Sequence, residues 1–434
     1  MNPELVAVLN AREIGRVLRD SRGRLTFIYA DDWRETRGAY PLSLSMPLAA
    51  AEHGHRPIEA FLWNLLPDNE AVLTRWAQRF HVSARNPFAL LSHVGEDCAG
   101  AVQFVQPDRL DTVIGEGPSA VEWLDERGIG ERLRALREDH AAWRIPRDTG
   151  QFSLAGAQPK TALFYENGRW GVPSGRTPTT HILKPPTGEF DGHAENEHLC
   201  MRLASALGLI TAHSEVKRFE DQVAIVIERY DRERTESGIV RVHQEDFCQA
   251  LAIHPARKYE NEGGPNVRMA VELLRTFSGR AQEDVQRFVD ALAFNWLIVG
   301  TDAHAKNYSL LIGAEGRARL APLYDIASIL PYDFDMQKLR LAMKVGGTYR
   351  LRDVGARQWR KLAADLRLNA DALLQRIREL AVRLPDNLAD IRQAAEREGL
   401  DHPLMKRLSD ALQHRAGRCI QAIDMSASAP AEDR

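Results

Sequence analysis

The chain has 434 residues, of which 44% are hydrophobic and 27% are charged, and its 57 Lys and Arg side chains nearly balance 60 Asp and Glu side chains. The apolar fraction is sufficient for buried cores and excludes a wholly disordered chain. The formal net charge of -3 argues against a protein that coats nucleic acid or anionic membranes by bulk charge alone. At roughly 150 residues per domain, we expect about two or three globular units.

The sequence predicts a cytoplasmic protein that does not enter a membrane. The best candidate for a membrane helix, Ala291–Gly300, contains Asn295 and is far shorter than the ~18 apolar residues required. The N-terminus carries Glu4 and lacks the basic segment and apolar run of a signal peptide. The cysteines are widely scattered without metal-ligand spacing, which suits a thiol-reducing compartment; they are Cys98, Cys200, Cys248 and Cys419.

The first 107 residues show mixed periodicities that predict an α+β domain. The expected elements are a strand at Leu25–Tyr29, helices at Pro57–Leu66 and Glu70–Phe80, and a strand at Gly100–Val105. The following residues, 108–147, are charged and partly helical, with apolar side chains at helical face spacing at Trp123, Leu124, Leu133 and Leu136. We interpret them as an arm that connects two domains.

The pattern of residues 148–232 predicts three strands, then a helix, then two more strands. Asn167-Gly168 favours a tight hairpin between the first two strands, because both residues tolerate positive φ. The third strand ends at Lys184, before Pro185-Pro186. The predicted elements are strands at Thr161–Tyr165, Trp170–Val172, Thr180–Leu183, Ser214–Phe219 and Val223–Arg229, and a helix at Ala194–Leu207.

From residue 233 to 424 the sequence predicts a mainly helical lobe. The expected helices are Gln244–Ala252, Arg268–Phe277, Glu283–Val299, Arg357–Leu366, Ala370–Arg383, Leu388–Glu398 and one near the end. A two-stranded element is expected at Tyr308–Ile312 and Arg319–Pro322. The last ten residues, 425–434, are small and polar and predict a disordered tail.

Three residues of the helical lobe have the order and spacing of a kinase catalytic apparatus. Asp302 and Asn307 are five positions apart, as the base and the metal-binding amide of a protein kinase are. Asp325 follows the two short strands, where a kinase has its second metal ligand, and Mg²⁺ accepts such a carboxylate and amide pair. Each match is weak alone, since polar residues also cap helix ends and occupy turns.

Two features of the preceding lobe fit the same order. Lys184 ends a strand, where it could neutralise ATP phosphates, and either Glu195 or Glu197 on the next helix could pair with it. The segment Ser153–Lys160 contains one glycine and matches neither the dinucleotide fingerprint nor the Walker loop, so alone it reads as a plain loop. Strand-end lysines are usually solvated, and acids at a helix start are also expected from the helix dipole. Because all these signals fall in kinase order, a kinase is the leading interpretation.

The sequence resembles the HipA family of serine/threonine kinase toxins over about residues 4 to 415. The resemblance lies in a series of short segments in one order, two of them in the N-terminal region. They are Asn64–Asn69, Val94–Gly100, Ser153–Thr161, Ile182–Pro185, Glu195–Glu197, Glu228–Arg232, His243–Phe247, Asn295–Leu297, Thr301–Asn307 and Pro322–Ile326. It implies an α+β, bilobal protein-kinase-like fold with an additional N-terminal α+β domain and a mainly helical C-terminal lobe. The domain boundaries become 1–107, 108–147 for the arm, 148–232 for the N-lobe, 233–424 for the C-lobe and 425–434 for the tail.

The resemblance also implies a role for each matched residue. Asp302 would be the catalytic base, Asn307 and Asp325 would hold Mg²⁺, and Lys184 would contact the ATP phosphates. The other expected nucleotide contacts come from the phosphate-covering loop, the hinge between the lobes and the catalytic loop; they are Ala155, Gly156, Ala157, Gln158, Lys160, Glu228, Tyr230, His304 and Lys306. Ser153 matches the serine that family members autophosphorylate, which ejects the loop. His304 stands where ordinary kinases have a lysine, so either His304 or Lys306 could neutralise the transferred phosphate.

Family resemblance further implies a helix-turn-helix antitoxin that binds operator DNA and holds the toxin. Known family targets include aminoacyl-tRNA synthetases such as glutamyl-tRNA synthetase, whose inhibition stalls translation and favours growth arrest and persistence. Two other classes remain open: a small-molecule phosphotransferase of the same fold, and a catalytically inactive corepressor bound to the antitoxin. The segment Asn64–Asn69 argues against the first, and the complete set of Lys184, Asp302, Asn307 and Asp325 argues against the second.

Overall fold

A computed structural model describes residues 3–115, 120–143, 152–188, 190–236 and 238–425. The N-terminal domain is a five-stranded antiparallel sheet in the order β4-β3-β2-β1-β5, covered by helices. Its strands are β1 (Glu4–Leu9), β2 (Arg12–Arg19), β3 (Leu25–Tyr29), β4 (Glu52–His53) and β5 (Val102–Val105). Its helices are α1 (Asp31–Arg34), α2 (His55–Leu65), α3 (Glu70–Phe80), α4 (Pro87–Val94) and α5 (Leu110–Ile114).

The next unit is a six-stranded antiparallel sheet in the order β10-β11-β9-β7-β8-β6. Its strands are β6 (Ala120–Leu124), β7 (Thr161–Glu166), β8 (Arg169–Ser174), β9 (His181–Lys184), β10 (Ser214–Phe219) and β11 (Gln222–Glu228), and its helices are α6 (Glu126–Glu138) and α7 (His193–Ala206). The β7–β8 hairpin turns at Asn167 and Gly168, with φ of 50° and 79°, as the dipeptide predicted.

The arm interpretation of residues 108–147 was wrong in its local structure. Trp123 and Leu124 lie in strand β6, which pairs with β8, and not on a helix face. Ile129 and Leu133 of α6 are buried against Leu163 and other apolar side chains of the same sheet. Strand β6 lies at the edge of the sheet and contains no buried residue, so it gives no clear period-two signal and the sequence did not separate β6 from α6.

The helical lobe holds the remaining elements, and its large core contains α7 as well as the helices that follow. The helices are α8 (Phe247–Ala250), α9 (Val267–Phe277), α10 (Ala281–Ile298), α11 (Ala356–Asp365), α12 (Ala370–Arg397) and α13 (Pro403–Asp424). The strands form small sheets; they are β12 (Arg232–Thr235), β13 (Gly238–Arg241), β14 (Gln244–Asp246), β15 (Ser309–Ile312), β16 (Ala318–Leu320), β17 (Arg340–Val345) and β18 (Thr348–Arg350).

Two predictions for this lobe were wrong. The expected helix at Gln244–Ala252 begins as strand β14, which pairs with β15, and becomes the short α8 only at Phe247. The expected break between two helices does not occur, because α12 runs as one helix through Pro385. The predicted tail lies outside the described residues beyond Met425.

A buried ionic network joins the N-terminal domain to the start of the helical lobe. Asp97 accepts hydrogen bonds from Arg232 at 2.9 Å and from the Thr179 hydroxyl at 2.6 Å. Arg229 bonds Asp231 at 2.9 Å and the Cys98 carbonyl at 2.7 Å. These contacts fix the N-terminal domain against the hinge between the two kinase-like lobes.

The observed architecture confirms the predicted α+β class, with an N-terminal α+β domain beside a bilobal kinase-like unit. Among the described residues, no helix combines the length and apolar composition needed to span a bilayer. All four cysteines are buried and unpaired.

Candidate active site

A cleft of about 640 Å³ lies where the N-lobe, the C-lobe and the N-terminal domain meet. Ligand pockets commonly have volumes of about 300–1,000 Å³, so this cleft is large enough for a nucleotide. It is lined by thirteen of the residues selected from the sequence: Ala155, Gly156, Ala157, Gln158, Lys160, Lys184, Glu228, Tyr230, Asp302, His304, Lys306, Asn307 and Asp325. Ser153 does not line the cleft and is completely buried behind the loop.

Lys184 is the central cation of the cleft. Its Nζ lies 2.8 Å from Oε1 of Glu197 and 2.7 Å from Oδ1 of Asp325. Of the two acids considered from the sequence, Glu197 is therefore the partner. Burial lowers the pKa of Lys184, but Asp325 and Glu197 raise it by more, so the group stays charged. The pair of a strand lysine and a helix glutamate is the arrangement that positions a phosphate-binding lysine in kinases.

Asp325 and Asn307, the two metal ligands expected from the sequence, both line the cleft. Asp325 adopts a left-handed backbone conformation (φ 59°), and its carboxylate accepts a hydrogen bond from Lys184. Burial raises its pKa, but Lys184 and Lys160 lower it by more, so it is ionised. Asn307 donates its side-chain NH₂ group to the Asp302 carbonyl at 2.7 Å, and this leaves its amide oxygen as an acceptor. A carboxylate and an amide oxygen are ligands that fit Mg²⁺.

The segment Thr301–Asn307, the predicted catalytic loop, follows a sharp backbone turn. Val299 ends α10 in a left-handed conformation (φ 58°), which is rare for a β-branched residue. At Gly300 a Cβ would lie 2.3 Å from Oδ1 of Asn295, so any larger residue would displace the Asn295 side chain. The long apolar helix is thus stopped abruptly, and the polar residues that follow it point into the cleft.

Asp302 presents an accessible carboxylate, with its side chain 72% exposed. The Tyr259 hydroxyl donates a hydrogen bond to its Oδ1 at 2.5 Å. His304 packs edge-to-face against Tyr259 and is buried, and burial lowers its pKa to about 4. His304 is therefore uncharged near neutral pH, so Lys306 is the catalytic-loop side chain that can supply positive charge.

Lys306 is held by an acid that sequence reasoning did not select. Its Nζ donates to Oδ1 of Asp68 at 2.6 Å, and Lys258 donates to Oδ2 of the same carboxylate at 3.0 Å. Asp68 lies in the turn between α2 and α3 of the N-terminal domain. Burial raises the pKa of Asp68, but Lys306 and Lys258 lower it by more, to about 2.

The loop at 152–160 is folded against the same turn. Gly156 has φ of 101°, and a Cβ there would lie 2.6 Å from Nζ of Lys160, so glycine is required. Lys160 donates to the Ala155 carbonyl at 2.6 Å, and the Asp68 backbone N–H donates to the Gly156 carbonyl at 3.0 Å. Burial and the nearby Lys184 lower the pKa of Lys160 to about 8.

The hinge side of the cleft is formed by Glu228 and Tyr230. Tyr230 is partly buried, its hydroxyl donates a hydrogen bond to the Gln244 side chain, and its ring lies 5.8 Å from that of Tyr324. The Glu228 side chain points largely to solvent and is 52% exposed. The aromatic side chains of Tyr230 and Tyr324 at this position suit a flat heterocycle such as adenine.

Several cleft residues were missed because their sequence signals are local and ordinary. Asp68 follows Pro67 in a turn, and an Asp in that position is common for turn formation alone. Tyr259 and Lys258 lie in an irregular segment that no periodicity marks. Only the resemblance around Asn64–Asn69 pointed to this turn, and it did not connect Asp68 with the catalytic loop.

Comparison with known proteins agrees with this geometry. Residues 5–105 match the HipA N-terminal domain, and residues 152–388 match the HipA-like C-terminal domain. The chain is 36% identical over 421 residues to the Sinorhizobium fredii protein Y4mE, which carries a kinase name, covering 95% of this chain and 98% of that one. It is 31% identical to the Shewanella oneidensis serine/threonine-protein kinase toxin HipA, covering 84% of this chain and 83% of the relative.

A solved structure of a HipA protein matches nearly the whole chain. The match is to a complex of HipA, HipB and its operator DNA from Shewanella oneidensis, with a TM-score of 0.84 and 26% identity. The alignment covers 98% of this chain and 99% of the matched one. The chain therefore belongs to the HipA family.

Proposed function

We propose that this chain is a protein serine/threonine kinase that transfers phosphate from ATP, with Mg²⁺, to a protein hydroxyl. One observation carries the proposal: Lys184, paired with Glu197, faces Asp325 in a cleft that Asp302 and Asn307 also line. This combination of a paired lysine, a base and two metal ligands is what phosphoryl transfer requires from a protein. The relatives named as kinases support the same reaction class.

Each side chain has a defined task in this reaction. Lys184 binds phosphate oxygens of the nucleotide, and Glu197 keeps its ammonium group in place. Asn307 and Asp325 would hold Mg²⁺, which neutralises charge on the phosphates when bound. Asp302 orients the attacking hydroxyl and accepts its proton, because its carboxylate is exposed to an incoming substrate.

The remaining cleft residues close and complete the nucleotide site. Residues Ala155–Gln158 and Lys160 would cover the phosphates, and the hinge at Glu228 and Tyr230 would receive the adenine. Lys306 is the cation available beside the transferred phosphate, since His304 is uncharged near neutral pH. Positioning and charge stabilisation then supply most of the rate.

We also propose that the kinase acts as the toxin of a toxin–antitoxin pair in the cytoplasm. The matched HipA chain occurs in a complex with HipB and its operator DNA, which supports a HipB-like helix-turn-helix antitoxin that contacts the DNA. A component of translation, such as glutamyl-tRNA synthetase or another aminoacyl-tRNA synthetase, is the proposed substrate. Its phosphorylation would cause growth arrest and persistence.

The kinase activity is tested with labelled ATP and Mg²⁺. Asp302→Asn should lower phosphate transfer by about 10²–10⁴-fold, because a positioned base contributes that much, while nucleotide binding stays nearly intact. Asp401→Asn, which changes an exposed acid between α12 and α13, is the matched control. Full transfer by the Asp302→Asn enzyme would refute the assignment.

The toxin role is tested in cells that lack the antitoxin. Induction of the wild-type chain should arrest growth, and Asp325→Ala should relieve the arrest because it removes a metal ligand and the partner of Lys184. Equal expression of the two proteins is checked by immunoblot. Arrest that persists unchanged with Asp325→Ala would mean that phosphate transfer does not cause it.

A further inference from the structure

Asp68 belongs to the N-terminal domain, yet its side chain lies in the cleft between the kinase-like lobes. It is 10% exposed, and each of its two carboxylate oxygens accepts a hydrogen bond from a different lysine of the C-lobe. One of these, Lys306, is on the catalytic loop and is 3% exposed. The other, Lys258, is 16% exposed and directly precedes Tyr259, which contacts Asp302.

We propose that Asp68 is a positioning residue for phosphate transfer, so that the N-terminal domain completes the active site. Its carboxylate fixes the ammonium groups of Lys306 and Lys258 beside the catalytic loop. The inference rests on the proposed kinase function, since its effect is exerted on that reaction. It also gives the N-terminal domain a task in catalysis.

The electrostatic reason for this role is that the Asp68 carboxylate holds the positively charged groups of Lys306 and Lys258 close to each other. A buried ammonium group that loses its partner is strongly unfavourable and moves toward another anion. For Lys306, other carboxylates in the cleft include those of Asp302 and of Asp246, whose pKa burial raises against the opposing effect of Lys306, and a bound nucleotide would add its phosphates. Without Asp68, Lys306 would move toward one of these anions, into a position that is unproductive for phosphate transfer. Turnover should therefore fall, while ATP binding should not weaken.

Backbone groups in and next to the same turn bind the phosphate-covering loop. Because these contacts do not involve the Asp68 side chain, the role of that side chain can be tested separately. The Asp68 N–H donates to the Gly156 carbonyl at 3.0 Å, and the Leu65 carbonyl accepts from the Ser153 hydroxyl at 2.8 Å. Asp68→Asn keeps both backbone contacts and the side-chain shape but removes the charge. A change in turnover can then be attributed to the two lysines and not to a displaced loop.

The test compares Asp68→Asn with Glu70→Gln, an exposed acid in the first turn of α3 that serves as the control. For Asp68→Asn, kcat should fall by about tenfold or more, and the KM for ATP should change by less than about threefold. Asp68→Glu should recover part of the lost kcat. An active wild type with unchanged kcat in Asp68→Asn would overturn this inference alone, whereas an inactive wild type would overturn the proposed function as well.

A double-variant cycle shows whether Asp68 acts through Lys306. If it does, Asp68→Asn should lower kcat little further in an enzyme that already carries Lys306→Met, because coupled residues are not additive. The double variant should also recover melting temperature relative to Asp68→Asn, since it no longer contains the unpaired Lys306 charge. This second readout holds even if the single variant folds poorly. Additive losses in both measurements would overturn the proposal.

Discussion

The Tyr259 hydroxyl donates a hydrogen bond to the Asp302 carboxylate at 2.5 Å, where an attacking hydroxyl would also bind. Burial and the nearby Asp302 raise the pKa of Tyr259, so the phenol remains protonated and competes with a substrate hydroxyl. Tyr259→Phe should therefore lower the KM for the protein substrate by about two- to fivefold, because it removes one competing hydrogen bond. Steady-state kinetics at saturating ATP measure this change, and an increased KM would contradict it.

The ion pair of Lys184 with Glu197 predicts an asymmetry between two neighbouring acids. Glu197→Gln should reduce kcat/KM for ATP by about tenfold or more, because it frees the buried ammonium group from one of its two anchors. Glu195→Gln changes an acid in the preceding turn of α7 that is not the partner of Lys184, and it should have a much smaller effect. Equal losses of kcat/KM for the two variants would show that the losses arise from a disturbed α7 and not from the ion pair of Lys184 with Glu197.

The order of the kinase-like elements was predicted well because each element has a strong local signal in the sequence. The strand that ends at Lys184, the hairpin at Asn167-Gly168 and the apolar helix before Asp302 each depend on neighbouring residues. Periodicity and turn chemistry report such features directly. The N-terminal hairpin of β1 and β2 was not predicted, because its turn uses Asn10-Ala11 at positive φ, and alanine there is an unusual signal.

Contacts between distant segments could not be predicted in the same way. Asp68 and Lys306 are 238 positions apart, and nothing local to either residue indicates the other. The same applies to β6, which joins the N-lobe sheet only through its pairing with β8. The continuation of α12 through Pro385 also depends on tertiary packing, since proline interrupts an isolated helix. These features depend on contacts between segments that are distant in the sequence, so no short stretch of sequence predicts them.

The network around Asp97 predicts a large loss of stability when its charge is removed. Asp97→Asn removes one of the two buried carboxylates, Asp97 and Asp231, that neutralise Arg229 and Arg232, and it should cost about 3–5 kcal/mol in the free energy of unfolding. Urea denaturation measures this cost. Asp221→Asn, which removes an exposed acid paired with Arg134, should have little effect. Similar stability of the two variants would argue against the network as the tether of the N-terminal domain.

The same carboxylate should make stability depend on pH in acid. Burial raises the pKa of Asp97, but Arg232, Arg229 and Arg241 lower it by more, so its folded pKa lies below its unfolded value. Its contribution is therefore present above the unfolded pKa of about 3.9 and is lost as pH falls through the folded value. Unfolding curves below about pH 4 should lose less stability in Asp97→Asn than in the wild type. Parallel curves for the two proteins would contradict this prediction.

Ser153 is placed where it can be modified only if the phosphate-covering loop leaves the cleft. The side chain is completely buried, and its hydroxyl donates to the Leu65 carbonyl at 2.8 Å. Its backbone N–H donates to the Asp97 carbonyl at 2.9 Å, so both groups anchor the loop to the N-terminal domain. A phosphate adds about -1.5 to -2 charges and three acceptor oxygens, which cannot replace a donor facing a carbonyl.

We therefore expect phosphorylation of Ser153 to hold the loop outside the cleft and to silence the enzyme. After incubation with Mg²⁺ and ATP, mass spectrometry should find phosphate on Ser153, and nucleotide titration of that form should give ATP affinity reduced by about tenfold or more. Ser153→Ala should remain unmodified and keep ATP affinity close to that of the unphosphorylated enzyme, because the loop still has its backbone bonds to Asp97 and Asp68. Absence of phosphate from Ser153, or unreduced ATP affinity once phosphate is present, would count decisively against this switch.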